Sequence, residues 1–324
     1  EFWIRGIAKT QEIRENALSK RKQRERKMFI SILTEMFVRV DDFCQHFEKQ
    51  WHKQLLQEKA TSRLRKGRLC LSEIMTIVIG FQSSRFRDFK AYYRFLEEYH
   101  RCEFPGLVSY NRFVQLMPRT LIPLCAYLRG RRGRVTGISF IDSTAIAVCH
   151  NRRISRNRVF RGLAQRGKTS LDWFLGFKVH LIINECGELL AFQITPGNVD
   201  VRKPVPQMVK GLSGKLFGDK GYLSQPLFEQ LFNQGLAFFT TRKRNMKPQL
   251  LSLYDKILLR KRALIETVNE QLKSHFQLEH TRHRSSVNFM INLVAALVAY
   301  SHQPNKPHLN LSNSDLQLLS LFDP

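Results

Sequence analysis

The spacing of apolar residues divides the 324-residue chain into a helical first part and a second part that contains strands. From about residue 28 to 130, apolar side chains recur every three or four positions, as in Phe29, Ile32 and Leu33. That period is typical of amphipathic helices that bury one face. We therefore predict an all-α N-terminal part, which ends in a basic linker at residues 129–134.

After this linker the period of the apolar residues changes to two. Alternation around residues 138–146, 177–183 and 190–195 predicts three strands joined by short turns. The elements predicted beyond them alternate between helix and strand and end in two long helices: helix 204–212, strand 215–219, helix 225–233, strand 236–241, helix 254–278 and helix 286–301.

Three meandering strands followed by alternating helix and strand form the order of the ribonuclease H-like fold. We predict this α/β fold, a mixed five-stranded sheet with flanking helices, for residues 135–302. We interpret residues 28–134 as a helix-turn-helix-like DNA-binding domain with its linker, the alternative being a plain helical bundle with solvated charges. Residues 303–324 are interpreted as a C-terminal tail. Residues 1–27 are interpreted as a basic tail of upstream or non-native origin, or alternatively as an arm that binds DNA.

Charge and cysteine spacing narrow the classes of function. The chain has 53 Lys and Arg against 27 Asp and Glu, a net charge of +26, which predicts a polyanionic partner, nucleic acid first. The longest apolar run, residues 289–300, is too short to span a bilayer, and no secretion signal is recognisable. The six cysteines have no C-x-x-C spacing, which predicts reduced thiols. We expect a cytoplasmic protein that makes no membrane contact and joins the bacterial nucleoid when bound to DNA.

Three carboxylates are the main candidates for chemistry. Asp142 lies in the first predicted strand, Asp219 follows the fourth, and Glu266 lies on a late helix. In the ribonuclease H-like fold strands one and four are neighbours, so both Asp would meet there. Such a set can hold two divalent ions about 3.5–4 Å apart, Mg²⁺ or alternatively Mn²⁺, against a phosphodiester. The structural alternatives are a hydrogen-bonded strand Asp for Asp142 and a turn Asp for Asp219.

The helix that contains Glu266 has a polar stripe formed by Arg262, Glu266, Asn269 and Lys273. Their spacings of four, three and four place them on one side of a helix whose neighbouring face is apolar. An exposed Arg262–Glu266 pair is the structural alternative, but it does not explain Asn269 and Lys273. We predict that Arg262 and Lys273 contact DNA phosphates.

A basic segment, residues 151–170, joins the first two predicted strands and contains no acidic residue. We expect it to contact the DNA backbone, whereas a solvated loop is the alternative. Trp173, just beyond, is expected in the core, with stacking on an extruded base as the alternative. The predicted DNA-binding residues here and elsewhere, besides Arg262 and Lys273, are Arg152, Arg153, Arg156, Arg158, Arg161, Lys168, Lys220, Arg282 and Arg284.

Taken in order, several motifs resemble those of bacterial insertion-sequence transposases of the DDE type, above all the insertion sequence 982 group within the wider insertion sequence 4-like assemblage. The resemblance covers about residues 28–301. The matching segments are Phe140-Ile-Asp-Ser-Thr144, Gly176-Phe-Lys-Val-His-Leu181, Ile194-Thr-Pro-Gly-Asn-Val199, Phe217-Gly-Asp-Lys-Gly-Tyr222 and Leu258 to Thr267.

The wider group has the signature Y-x2-R-x3-E-x6-K around its catalytic Glu. Arg262, Glu266 and Lys273 match it in register, but Leu259 occupies the tyrosine position. The resemblance implies that Asp142, Asp219 and Glu266 are the catalytic and metal-binding residues.

The resemblance also implies a DNA transposase that acts as a homodimer or larger assembly on double-stranded DNA. Such an enzyme recognises terminal inverted repeats, hydrolyses the element ends with Mg²⁺ and joins the 3′-hydroxyl to target DNA. The residues alone leave two alternatives open. One is a metal-dependent nuclease or resolvase of the same fold, and the other is an inactive, transposon-derived DNA-binding protein.

Overall fold

The structure is a computed structural model that describes residues 29–51, 53–54, 57, 67–84, 86–169, 172–242, 245–246, 250–279 and 283–309. The predictions for residues 1–28, for Arg282 and for residues 310–324 therefore lie outside the described residues. Within the described ranges, no helix combines the length and hydrophobicity that a membrane span requires. All six cysteines are described, and all are free thiols.

The N-terminal part is helical, as its apolar period predicts. Its helices are α1 at residues 29–51, α2 (Leu71–Ser83), α3 (Phe89–Tyr99), α4 (Tyr110–Leu116) and α5 (Leu121–Gly130), with a 3₁₀ turn at Met117–Thr120. The DNA-binding role of this part and the domain boundary after residue 134 stay predictions.

The second part consists of a mixed sheet with helices on both faces. Its strands are β1 (Ile138–Ala147), β2 (Gln165–Lys168), β3 (Trp173–Asn184), β4 (Leu189–Pro196), β5 (Gly214–Gly218) and β6 (Leu236–Thr240). Its helices are α6 (Val205–Met208), α7 (Gln225–Phe232), α8 (Leu253–Lys261), α9 (Ala263–Ser274) and α10 (Ser286–His302).

The strand order confirms the predicted fold class. β4, β3 and β1 form an antiparallel meander, and β5 and β6 continue the sheet in parallel on the other side of β1. This is the ribonuclease H-like arrangement expected from the sequence. The sheet also contains a short sixth strand, β2, which was not predicted. β2 pairs with the start of β3, before the part of β3 that pairs with β4.

One apolar core crosses the predicted boundary between the two parts. Ile77 on α2 and Leu124 on α5 belong to the same buried cluster as Phe140 on β1 and Leu297 on α10. A polar contact joins the same elements, since Gln82 Nε2 donates to Asn292 Oδ1 at 2.6 Å. A second, smaller cluster fills the opposite face of the sheet, beneath α6 and α7. The helix α10 is thus the element on which the N-terminal helices pack.

Candidate active site

The parallel pairing of β1 with β5 brings two of the predicted carboxylates to the same level of the sheet. Phe140 pairs with Phe217, and Asp142 and Asp219 each follow two residues later. β1 continues to Ala147, whereas β5 ends at Gly218. Asp219 therefore lies at the carboxyl end of its strand, beside the middle of β1, as the sequence predicts.

The backbone after β5 fixes the Asp219 side chain. Asp219 caps a 3₁₀ turn, Lys220–Tyr222, and its Oδ1 accepts from Gly221 N at 2.8 Å. A side chain at Gly221 would crowd this carboxylate, because an added Cβ would lie 2.9 Å from Asp219 Oδ1. Lys220 is exposed next to Asp219, where a phosphate could meet it.

Glu266 is presented by α9, whose start differs from the prediction. The single predicted helix at 254–278 is two helices, α8 and α9, that meet at Arg262. Arg262 Nη2 lies 2.7 Å from Glu266 Oε1. The Glu266 side chain is 54% exposed and that of Arg262 is 18% exposed, so the cation is the more enclosed partner. The ion pair between Arg262 and Glu266, which the sequence analysis gave as the structural alternative, is therefore present.

Asn269 connects the same helix to the first carboxylate. Its side chain is buried, and its Nδ2 donates to Asp142 Oδ2 at 2.9 Å. Its Oδ1 is also buried, with no hydrogen bond to any described residue. The polar stripe of α9 contains this contact, but the sequence alone did not identify Asn269 as a site residue. Its position three residues after Glu266 was the available indication.

Asp142 has an unusual electrostatic environment. Its pKa is raised from 3.8 to about 6, chiefly by burial. The Ser143 backbone and the charge of Arg262 act against this rise, and the charges of Asp219 and Glu266 add to it. The three predicted carboxylates therefore influence one another through space. A carboxylate in this position is stabilised by any added positive charge.

Tyr222 is a second neighbour that sequence reasoning did not select. It is fully buried, 1% exposed, on the opposite face of the sheet with Ile141. Burial raises the pKa of its hydroxyl, and the charges of Asp142 and Asp219 act in the same direction. Tyr222 is therefore part of the core beneath the sheet rather than a wall of the site, and the motif that begins at Phe217 was the available indication.

The donor chemistry of the site fits a hard divalent cation, although the carboxylates do not form a closed cage. Within the described part of the chain, no three His, Cys, Asp or Glu side chains lie close enough to hold one metal ion. Glu266 is held by Arg262 instead. Carboxylate oxygens are nevertheless the ligands that Mg²⁺ and Mn²⁺ prefer, and a bound cation would favour the ionised form of Asp142, whose pKa burial raises.

Lys273 has an acidic partner that the sequence analysis did not predict. Its Nζ lies 3.7 Å from Glu279 Oε2, and both side chains are 35% exposed. Glu279 Oε1 also accepts from the backbone N of Ala147, at the end of β1. Glu279 thus connects the last turn of α9 to the strand that contains Asp142.

The basic segment is folded rather than a simple loop. It contains a 3₁₀ helix, Asn151–Arg156, and the strand β2. Phe160 anchors it, because its ring packs on Phe177 and Phe289 with centroids 6.0 and 5.1 Å apart. Its seven cations are all exposed, and none has an ion pair among the described residues: Arg152, Arg153, Arg156, Arg158, Arg161, Arg166 and Lys168.

Two sequence predictions near this segment have different outcomes. Trp173 was expected in the core, but its side chain is 56% exposed, so that expectation is wrong. The reason is its place at the start of β3, outside the stretch that α9 and α10 cover. Arg284 is exposed and lies near Tyr110 of α4, where burial raises the pKa of the tyrosine and the charge of Arg284 opposes that rise.

Comparison with known families gives a match, which covers the part of the chain that contains the three carboxylates. Residues 132–286 match a family model described as the transposase DDE domain. This part of the chain is similar to a transposase DDE domain. The match covers slightly less than half of the chain and includes Asp142, Asp219 and Glu266. It supports a DDE transposase without selecting a subgroup of transposases.

Structural comparison adds less. The solved structure entitled "Crystal structure of the Mos1 mariner paired end complex with Mn" aligns over 84% of this chain and 98% of its own chain. The identity is 12% and the TM-score is 0.23, a value that carries no argument about a shared fold. No curated protein matches the sequence. The fold assignment therefore rests on the strand order.

We expect Asp142→Asn to stabilise the metal-free protein at pH 8 more than at pH 4. The folded pKa of about 6 exceeds the ordinary value of 3.8, so the folded state binds this proton more tightly and stability falls as pH rises between them. The penalty at pH 8 is on the order of 1–3 kcal/mol. Urea denaturation in the presence of a chelator measures it, and an equal gain at both pH values would contradict the burial of this charge.

We expect Asn269→Leu to raise the pKa of Asp142, because it removes a hydrogen bond to the charged carboxylate. NMR titration of the metal-free proteins measures the pKa of Asp142 in the wild type and in the variant. The value in the variant should be measurably higher. Thr267→Ala, at an exposed position of the same helix, is the matched control. An unchanged pKa in the Leu variant would show that the contact does not stabilise the ionised form.

Proposed function

We propose that this chain is a DNA transposase of the DDE type, of the insertion sequence 982-like group. In this proposal it binds the terminal inverted repeats of its element, cleaves the element ends by phosphodiester hydrolysis and joins the 3′-hydroxyl to target DNA. The observation that carries the proposal is the match of residues 132–286 to the transposase DDE domain, within which Asp142 and Asp219 occupy neighbouring strands.

Asp142, Asp219 and Glu266 would hold the divalent metal, Mg²⁺ or Mn²⁺ and two ions per site, which when bound supplies Lewis-acid polarisation of the phosphodiester. Asn269 keeps the Asp142 carboxylate fixed from the helix that also presents Glu266. Arg262 Nη2 contacts Glu266 Oε1, so a metal ion that bound this oxygen would displace Arg262 from it. Arg262 is then available to a DNA phosphate.

The basic segment supports DNA as the substrate. Phe160 anchors it on Phe177, which lies on the same face of β3 as Leu181, the partner of Asp142 in the sheet. Four residues separate Phe177 and Leu181, or roughly 13 Å of strand. Exposed cations without acidic partners therefore start roughly 13 Å along the sheet from the level of Asp142. They suit the backbone of a duplex whose scissile phosphate lies at Asp142.

The N-terminal helices are proposed to recognise the terminal repeats, and the active form on DNA is proposed to be a homodimer or larger. A nuclease or resolvase would use the same carboxylates but would not join ends. An assay with DNA that contains the element's own ends separates the candidates. Cleavage followed by joining supports a transposase, cleavage alone supports a nuclease, and binding without cleavage supports an inactive DNA-binding protein.

We expect Asp142→Asn, Asp219→Asn and Glu266→Gln each to abolish cleavage and joining while DNA binding is kept or strengthened. Each change removes a metal ligand and also removes repulsion of the phosphates. Glu270→Gln, at an exposed position of the same helix as Glu266, is the matched control and should cleave normally. Any one of the three variants that cleaves at the wild-type rate would take that residue out of the catalytic set.

We expect opposite effects from the two members of the Lys273–Glu279 pair. Lys273→Ala should slow cleavage or joining at least about 10-fold, equivalent to ~1.4 kcal/mol of barrier, because a phosphate contact is lost. Glu279→Gln keeps an acceptor for Ala147 N but removes the charge that competes with phosphate, so it should strengthen DNA binding. The cleavage rate, the anisotropy of labelled DNA and the melting temperature are measured on both variants. A Lys273→Ala protein with full activity but lower stability would assign the lysine to folding alone.

A further inference from the structure

Trp173 is a large aromatic side chain that the fold leaves uncovered. It is 56% exposed at the first position of β3, while its strand neighbour Phe174 is buried. The exposed part of the indole contributes little to the stability of the fold, because apolar surface stabilises a protein only when it is buried. Isolated exposed apolar residues are common, so exposure alone assigns no role. The surroundings of this ring are more specific.

The backbone around Trp173 is held in place. Asn151 Nδ2 donates to the Trp173 carbonyl at 2.8 Å and to Asp172 Oδ2 at 3.1 Å. The Trp173 N–H donates to Asp172 Oδ1 at 2.6 Å, and Trp173 pairs with Lys168 across β2 and β3. The ring is thus presented from a fixed strand rather than a loose loop, which lowers the entropy that a ligand would have to remove.

The charge around the ring selects the chemistry of a partner. Lys168 Nζ lies 5.7 Å from the centre of the Trp173 ring, within cation–π range. Arg152 and Arg153 follow directly after Asn151, the residue that holds the Trp173 backbone. The nearby carboxylate of Asp172 already accepts hydrogen bonds on both oxygens. An apolar protein surface would gain nothing from these cations, whereas a nucleic acid supplies both a flat base and phosphates.

We propose that Trp173 and Lys168 form a stacking platform for an unpaired nucleobase of single-stranded DNA. The indole stacks on the base, and Lys168 with the neighbouring arginines holds the adjoining phosphates. This inference rests on the proposed function, because it gives a role in substrate binding to the basic segment. The inference also specifies single-stranded DNA as the ligand of this platform. A basic surface that binds only duplex DNA would not imply a single-stranded ligand.

The sheet also sets where such a base lies. Asp142 pairs with Leu181, and Trp173 is eight residues earlier on the same strand. At about 3.3 Å per residue the platform is roughly 26 Å from the acidic site. That distance equals about eight nucleotides of a duplex strand at 3.4 Å each. The unpaired base would therefore be several nucleotides from the scissile phosphate and not its immediate neighbour.

The test measures binding of the full-length protein to a fluorescein-labelled single-stranded oligothymidylate and to a duplex of equal length. A chelator is present throughout, so no cleavage occurs. Trp173→Leu should weaken single-strand binding about 10-fold or more and duplex binding less than about 2-fold, the scale expected for one stacked base. Trp173→Phe should restore most of the loss, because an aromatic ring is kept.

Phe232→Leu is the matched control, since Phe232 is 75% exposed on α7, away from the basic segment. It should leave both affinities unchanged. The proposal is overturned if Trp173→Leu binds single strands within about 2-fold of wild type, or if it loses equal affinity for both DNA forms. Failure of the cleavage assay would reject the transposase and leave this binding result intact. Successful cleavage and joining, together with unchanged single-strand binding by Trp173→Leu, would reject only the stacking platform.

Discussion

The parallel pairing of β1 with β5 is the constraint on which the candidate site depends. It places Asp142 beside Asp219, although the meander, α6 and their connections intervene in the chain. The pairing is short, with three residues of β1 opposite three of β5, and it ends just before the two carboxylates. The hydrogen-bonded pairing of β1 with β5 stops just before Asp142 and Asp219, so both side chains lie at the end of the paired region. Helix α9 then adds Glu266 and Asn269 from one face.

Each of the three carboxylates has a polar partner in the protein, although only the partner of Glu266 is a cation. Arg262 holds Glu266, Asn269 donates to Asp142, and Gly221 N donates to Asp219. Each carboxylate therefore has a compensating donor in the protein itself, which limits the cost of collecting three acidic groups. The same logic applies to Lys273, whose partner is Glu279. In the proposed function, metal and phosphate would replace these internal partners, and the strength of the internal pairs would set how readily the exchange occurs.

The sequence was sufficient for the elements that a regular period describes. Alternation predicted β1, β3 and β4, and the order of elements predicted the sheet, because one buried face imposes a period of two. The break at Arg262 was not predictable, since apolar spacing runs through it without Gly or Pro. Strand β2 was missed because Gln165–Lys168 has no apolar alternation and is defined only by pairing with β3. The contacts of Asn269 and Glu279 depend on tertiary placement, which no local pattern contains.

Helix α10 has a consequence for how the chain matures. It is the last described helix, yet buried side chains of α2 and α5 pack on it, as do those of the sheet. During synthesis the N-terminal helices emerge first, with residues such as Ile77 and Leu124 lacking this covering surface. The core can close only after α10, which ends at His302, has left the ribosome. Until then the nascent protein presents an apolar face to chaperones, and a ribosome that stops before residue 286 releases a product without a completed core.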